Sequence, residues 1–489
     1  MSDDSRTAFR PVAEWLERRI GWRKLMHEAL DEPVPGGSRW AYVFGSGLLF
    51  IFISQIVTGI CLSIYYVPSV DHAHTTVSFI QKVVWGGRFI RSLHSYGSSI
   101  MIILLMLHLT QTYVYGAYKS GRELLWLAGC LLFLLVLGMG FTGYLLPWDR
   151  RAYFATAVGT NIISEVPLVG PFFKTLLRGG AEMGTLTLSR FFVLHVFLIP
   201  AAIFAVIAAH LFLFRKAGAA GPPLSPEKLR VLEVRPFFPD QVVKDFVFGI
   251  LLILLLGVLS ALFPTRLGPV ANPTDSTYVP RPEWYYLPAF QWLKYWRGGG
   301  ILVGIVLIPA ILFAMLFGIP FLDRSRRRAP LQRPVAVGGF FLVVGGLIFL
   351  GYQSSAEDRK DPAVRAKIAA QEDAEREYTK APFEADEGPL ALGARNGPAP
   401  QNLTPEAAKG ALLFESEGCS SCHGAGGGGG EGLVKLWGMK DRYSDRQLAD
   451  LMRSPRPAML EGGMEASKLP DADLRALVAY VRATMNGKK

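Results

Sequence analysis

Seven stretches of this sequence run for roughly 18 to 26 residues without a charged side chain, and nothing else in the chain constrains its fold as strongly. They cover residues 42–67, 92–117, 124–147, 191–214, 246–264, 300–322 and 335–352. A helix of that length crosses the hydrocarbon layer of a bilayer. Within lipid, a helix satisfies every backbone N–H and C=O inside its own segment. The expected fold is therefore all-α, a seven-span transmembrane bundle. Composition agrees, because 489 residues at 51% hydrophobic are too many for one ordinary domain and too apolar for a soluble multidomain protein.

The formal charge of +11 raises the question of nucleic acid. The basic residues instead gather at the ends of apolar stretches, as in Arg215 and Lys216 and the run Arg324, Arg326, Arg327 and Arg328, so the expected partner is a lipid membrane and not nucleic acid. Residues 1–39 contain Arg18, Arg19, Arg23 and Lys24 and no apolar core with a cleavage site. They read as a cytoplasmic amphipathic segment and not as a signal peptide. With a cytoplasmic N-terminus, the loops after spans two, four and six are cytoplasmic, and an odd number of spans leaves the C-terminus outside.

Spans one to four form a block at 40–215 and spans five to seven a second at 216–352, divided by a polar segment containing Gly221, Pro222 and Pro223. Residues 148–190 read as short surface helices. Beyond span seven, residues 353–403 read as a linker: acidic and basic groups alternate with alanine over 356–380, as in a solvated helix, and Pro, Gly and Ala dominate 381–403. A small extramembrane α-helical domain occupies 404–489 and closes on an amphipathic helix, DADLRALVAYVRATM.

Of eight histidines in the chain, four lie in two spans: His94 and His108 in the second, His195 and His210 in the fourth. Polar side chains in lipid are costly and mark function. Steps of 14 and 15 residues return each pair to nearly one helix face, roughly 21 Å apart along the axis. Two such helices facing each other make two stacked bis-imidazole sites. Depth alone pairs His94 with His195 near the outer face and His108 with His210 near the inner. No second ligand lies one turn from any of them and no carboxylate shares their spans, which favours two non-covalent b-type haems, a diheme core, over zinc or di-iron. Gly45 and Gly59 in span one and Gly129 and Gly143 in span three repeat the 14-residue step, which would let a macrocycle edge approach the backbone at each level. Arg91 and Arg190 are placed either to pair haem propionates or to anchor their helices at the interface.

Of four cysteines, Cys61 and Cys130 lie in apolar spans as buried thiols. Cys419 and Cys422 belong to CSSCH at 419–423, the pattern in which two thioethers hold a c-type haem and the following His423 is its proximal ligand. The distal ligand is expected to be Met464, with Met459 as the alternative. Covalent haem attachment takes place outside the cytoplasm, in accord with the count of spans.

RSLH at 91–94, TGYLLPWD at 142–149, RFFVLH at 190–195 and RPEWYYLPAFQWLKY at 281–295 together resemble the cytochrome b family of the quinol-oxidising bc complexes over residues 12–352. The 15-residue step in span four and the three-span second block are similar to cytochrome b6 joined to subunit IV, here with an added cytochrome c domain. The resemblance implies an outer quinol-binding site lined by Pro282, Glu283, Trp284 and Tyr285, with Glu283 and Tyr285 catalytic and Glu283 taking a proton. By residue chemistry alone, that loop reads equally as an aromatic loop at the membrane interface. Lys244 and Asp245 resemble the family's quinone-reduction side, or simply cap a helix. The cysteine that bonds an extra haem in cytochrome b6 is replaced by Val43, so no covalent haem is expected there.

The resemblance further implies a bifurcating oxidoreductase. Quinol gives one electron to a Rieske-type iron–sulfur protein on another chain and one through the two b haems to an inner quinone. The c haem passes electrons to a downstream acceptor such as a soluble cytochrome or terminal oxidase, and protons are released outside. A homodimeric complex in a bacterial cytoplasmic membrane is the implied setting. A diheme membrane anchor for another dehydrogenase is the alternative, and it has no need of the Glu283 loop. A haem-binding transporter lacks the broken span with a polar site at mid-membrane.

Overall fold

Among the described residues, seven helices are long and apolar enough to cross a bilayer: Trp40–Ser63, Gly87–Val114, Glu123–Tyr144, Thr185–Ala217, Asp240–Leu262, Gly298–Leu322 and Pro334–Lys360. They appear in a computed structural model that describes residues 14, 15, 17–19, 21, 30–224, 226–273, 275, 277–384, 403–423, 436, 442–461, 464 and 466–485. Most of the N-terminal segment and the side chain of Cys422 lie outside the described residues. The chain divides into two units, Met1–Phe383 and Glu384–Lys489.

In the first unit the spans pack as neighbouring pairs, one on two and three on four, and span five lies against one and two. Their shared centre is apolar, with Ile51 and Phe52 meeting Met101, Leu104, Ile203, Leu252 and Leu256. The spans are apolar all round, as expected where the outward faces meet lipid instead of water. Helix α1 (Val43–Ser63) leads to α2 (Ala73–Lys82) and then to the long α3 (Gly87–Val114) and α4 (Glu123–Tyr144). Two short helices follow, α5 (Arg150–Ser164) and α6 (Gly170–Arg178). The first is started by Asp149, whose carboxylate accepts from Ala152 N at 2.8 Å.

Span four is not one regular helix. It runs α7 (Thr185–Val193), a π-helical turn (Leu194–Leu198) and α8 (Ile199–Ala217). Pro200 has no N–H to continue the i→i−4 ladder, and Ile199 N bonds Leu194 O, five residues back. Span six repeats the device, with a π turn at Leu302–Leu307 ahead of Pro309.

Helix α9 (Asp240–Leu262) is span five, α10 (Leu287–Leu293) follows the aromatic loop, and α11 (Ile308–Leu322) completes span six. A buried polar network closes one end of the bundle. Lys119 donates to Asp323 at 2.6 Å, Tyr118 donates to the same carboxylate at 2.6 Å, and Arg333 donates to Tyr118 at 2.8 Å and to Val114 O at 2.7 Å. At the same end strand β1 (Pro33–Pro35) pairs antiparallel with β2 (Val234–Pro236), a small sheet in a mostly helical chain.

After span seven, α12 (Pro334–Lys360), the chain turns at Asp361 into α13 (Pro362–Lys380). Asp361 caps that helix by accepting from Ala363 N at 2.8 Å, and Pro362 fits the first helical position. The helix read from the sequence as solvated is not solvated on every side. Thr379 accepts from Leu267 N at 3.1 Å while its own hydroxyl is donated to Glu375 O at 2.7 Å, and Lys82 donates to Tyr378 O at 2.8 Å.

The second unit is built on α14 (Pro405–Ser416) crossing α18 (Asp471–Met485). The crossing is close because residue 410 is glycine: a Cβ there would stand 1.9 Å from Ala476 O. Phe414, Leu448, Leu477, Val481 and Met485 form its core. Between these helices lie α15 (Ser420–His423), α16 (Asp445–Arg453) and α17 (Pro457–Glu461).

Candidate functional site

The four span histidines come together in two pairs, each held by the helices of spans one to four. His94 and His195 face each other with ring centroids 6.2 Å apart and ring planes at 79°. His94 Nδ1 lies 2.9 Å from Thr58 Oγ1, whose hydroxyl is donated to Ser54 O at 2.7 Å, so the threonine oxygen accepts from the ring. His195 Nδ1 lies 3.1 Å from Met139 O, which accepts, and 3.4 Å from Thr142 Oγ1. Both Nδ1 atoms are therefore engaged, and each ring keeps Nε2 for a ligand.

The four glycines seat these rings. A Cβ at Gly59 would stand 3.2 Å from His94 Cε1, at Gly45 3.4 Å from His108, at Gly129 3.4 Å from His210, and at Gly143 only 2.3 Å from His195. Each glycine of span one thus faces a histidine of span two, and each of span three a histidine of span four. Each glycine, expected from the sequence to let a macrocycle edge approach the backbone, lies against one of the imidazoles. His108 and His210 line a cavity of about 220 Å³ together with Gly129, Tyr42, Arg122 and Gln241. His210 Nδ1 is buried there.

These residues fit haem. A metal bonded about 2 Å from each Nε2 separates two imidazole centroids by roughly 6 Å, which is the spacing His94 and His195 show. The π turn explains how unequal steps serve equal levels. Spaced 14 and 15 residues along regular helices, the two pairs would drift apart in rotation, but the extra residue of the turn at Leu194–Leu198 absorbs the difference.

The loop Pro282–Tyr285 folds against the end of α4 that seats His195. Tyr285 Oη lies 2.9 Å from where a Cβ on Gly140 would be, one turn from Gly143. Trp284 donates to Ser99 Oγ at 3.3 Å, Tyr286 to Leu137 O at 2.6 Å, and Tyr144 to Arg281 O at 3.3 Å. Burial pushes the Glu283 carboxyl above the ordinary carboxylate range, Arg151 pulls it back down, and Asp149 adds to the rise. Burial likewise raises the Tyr285 phenol.

Other candidate residues have protein partners. Arg91 donates to Gln81, to Thr265 O at 3.3 Å and to Arg266 O at 3.1 Å, and Arg190 donates to Thr175 O at 3.2 Å and to Leu176 O. Asp245, 7% exposed, accepts from Gln241 Nε2 at 2.9 Å, and Lys244 donates to Ser38 Oγ at 2.7 Å, both at the His108 end. In the second unit His423 N bonds Cys419 O at 3.0 Å, Cys419 packs on the core, and Met464 N bonds Met459 O at 2.9 Å.

Residues 29–218 match the family described as "Cytochrome b/b6/petB", 270–371 "Cytochrome b(C-terminal)/b6/petD", and 407–484 "Cytochrome c". The chain is 38% identical over 356 residues to a "Cytochrome bc complex cytochrome b subunit" of Chlorobaculum thiosulfatiphilum, spanning 71% of this chain and 81% of that one. This chain belongs to the cytochrome b family of bc complexes. It carries both cytochrome b modules and a cytochrome c module in one polypeptide, a cytochrome b/c fusion subunit of a bc-type complex. It is also 40% identical over 219 residues to the "Menaquinol:cytochrome c reductase cytochrome b subunit" of Bacillus subtilis, covering 43% of this chain and 98% of the relative. A solved "Hyperthermophilic respiratory Complex III" superposes with a TM-score of 0.60 at 25% identity, over 75% of this chain and 100% of that one. The resemblance read from the sequence is thereby borne out, as is the all-α multi-pass membrane fold.

Sequence reasoning missed Thr58 and Thr142. Their signal was present, since Thr58-Gly59 and Thr142-Gly143 are the same dipeptide in spans one and three, the threonine bonding the histidine that the glycine seats. It also missed Arg151 and Glu375, whose pairing joins segments more than 200 residues apart.

Proposed function

We propose that this subunit oxidises quinol at the Glu283 loop, on the outer face of a bacterial cytoplasmic membrane, in a homodimeric complex with a Rieske-type iron–sulfur protein. His94 with His195 and His108 with His210 would hold two b-type haems, and Cys419, Cys422 and His423, with Met464 as distal ligand, one c-type haem. Bound haem supplies one-electron carriers at two depths of the membrane and in the outer domain. The observation that supports this best is the packing of the Pro282–Tyr285 loop one helical turn from Gly143, beside His195. It sets a proton acceptor against an electron-acceptor site, as an oxidation that releases both requires.

Quinol becomes quinone by losing two electrons and two protons. The electrons leave separately, one to the iron–sulfur partner and one into the bundle. Glu283 takes one of the protons and the other passes to water on the outer side. A carboxyl in apolar surroundings, with its affinity for protons raised by burial, accepts that proton more readily than an exposed carboxylate would and releases it outward. Trp284, Tyr285 and Tyr286 wall the loop with aromatic rings, the lining a flat apolar head group needs. Asp245, buried at the opposite end beside Gln241, is the corresponding protonatable group for quinone reduction on the inner side. The outer domain then accepts electrons from the iron–sulfur partner and hands them to a soluble cytochrome or terminal oxidase, and the net result is proton release outside.

Replacing Glu283→Gln tests the assignment. Quinol:acceptor turnover in membranes is expected to fall by roughly 100-fold, the contribution of one positioned proton acceptor, with haem content retained. Unchanged turnover refutes it.

A further inference from the structure

Helix α13 reaches the loops of the Glu283 region although it follows the last span. Its last turn is fixed to the 263–268 segment by the Leu267 N–H, donated to Thr379 Oγ1 at 3.1 Å, and to α2 by Lys82, whose ammonium lies 4.1 Å from the Tyr378 ring centroid. One turn earlier it carries Glu375. That carboxylate is 14% exposed and lies 3.9 Å from Arg151 Nε, with its Cγ 3.3 Å from where a Cβ on Gly268 would stand. A cleft of about 20 Å³ lies between Arg151, Tyr278, Gly268 and Glu375, the volume one water molecule needs. The Glu283 loop is tied to the neighbouring helix as well, through the Arg281–Asp358 ion pair and Lys294–Glu357 at 3.5 Å.

We infer that Glu375 is a positioning residue for quinol oxidation, which shares the Arg151 guanidinium with Glu283 and so governs when Glu283 is free to take a proton. The inference rests on the quinol-oxidising role of Glu283 proposed above. Arg151 is the cation facing both carboxylates: it favours the charged form of Glu283 and of Glu375 alike. The remaining groups are few. Asp149 faces both carboxylates, Arg266, Glu372 and the Tyr278 phenol face Glu375, and the Trp284 N–H with the Tyr144 and Tyr285 phenols faces Glu283. An arginine held in an ion pair by one carboxylate is held back from turning fully to another, so the Arg151–Glu375 contact at 3.9 Å limits how closely Arg151 serves Glu283. Glu375 therefore keeps Glu283 protonatable at higher pH, and a charge on a helix outside the bundle sets the working range of the site.

The sign follows. Glu283 must be ionised to accept a proton, so turnover rises with pH through its titration. Without the Glu375 charge, Arg151 acts on Glu283 alone, Glu283 ionises at lower pH, and the acid limb of the profile moves down.

The test is the pH profile of quinol:acceptor turnover in membranes holding the whole complex. Each profile is scaled to its own maximum, for Glu375→Gln, Glu375→Asp, Thr379→Val and Glu283→Gln. Glu375→Gln is expected to shift the acid limb down by roughly half a pH unit, making turnover on that limb about threefold faster relative to its maximum. Glu375→Asp keeps the charge and is expected to return most of the shift. Thr379→Val removes the docking hydrogen bond from Leu267 N and no charge, and is expected to leave the limb in place. An unmoved limb in Glu375→Gln, or an equal shift in Thr379→Val, overturns the inference while leaving the role of Glu283 standing. Full turnover in Glu283→Gln overturns that role itself.

Discussion

Gly143 gives the sharpest quantitative test of the paired-histidine sites. An alanine methyl there would sit 2.3 Å from His195 Cε1, 2.8 Å from Nδ1 and 2.9 Å from Nε2, directly over the ring face. Carbon atoms rest at about 3.5 Å, so the ring must withdraw by roughly 1 Å or the helices must part. Withdrawal is opposed by the hydrogen bond to Met139 O at 3.1 Å. A metal–imidazole bond tolerates only about 0.2 Å, so a shift of that size breaks it. Gly45 and Gly129 stand at 3.4 Å from their histidines, where a methyl makes almost ordinary contact, and Gly59 at 3.2 Å is intermediate. The four glycine-to-alanine variants should therefore rank by distance. Pyridine haemochrome quantitation of the purified subunit is expected to give two b haems per c haem for Gly45→Ala and Gly129→Ala, and close to one for Gly143→Ala. The covalent c haem serves as the internal count. Equal b haem retention in all four variants refutes the seating of the rings by glycine.

Thr58→Val removes the 2.9 Å contact that fixes His94, and is expected to weaken haem retention at that site by 10-fold or more, read as faster loss of b haem on detergent dilution. Thr142→Val, at 3.4 Å and backed by Met139 O, should lose less. Asp323→Asn leaves Lys119 and Arg333 as buried cations without their carboxylate, at a cost of roughly 3 kcal/mol in thermal stability. Burial raises the Asp323 carboxyl, but hydrogen bonds from Lys119, Tyr118 and Ser325 outweigh it and hold the group down at about 2. Its contribution is accordingly complete above the ordinary carboxylate range and lost as pH falls toward 2, and a thermal melt series in pH should show that slope in the parent and not in the variant. Met464→Leu is expected to abolish the methionine–iron charge-transfer absorption of the c haem and Met459→Leu to preserve it; the reverse result transfers the ligand to Met459.

How much was legible in advance depended on how far apart the cooperating residues lie in the chain. Partition into lipid is decided by local composition, so seven uncharged stretches announced seven spans, and CSSCH, a contiguous motif, announced its chemistry. The histidine steps were readable for the same reason, since a helix face is a property of one segment. The 15-residue step became equivalent to the 14-residue one only through the π turn ahead of Pro200, and a proline alone does not say whether a helix will kink, end or slip by a residue. Arg91 and Arg190 read as groups to pair haem propionates or to anchor their helices, and only folding gives them the carbonyls of Thr265, Arg266, Thr175 and Leu176 as partners. Glu375 lay in a run of alternating charges whose composition fits a solvated linker. What the sequence determined alone was which segments enter the membrane and which side chains share a face. Which carboxylate meets which cation across 224 residues, as Glu375 meets Arg151, was settled only by tertiary packing, because a charge pair forms where the surrounding contacts hold its two segments together and no local pattern encodes that meeting.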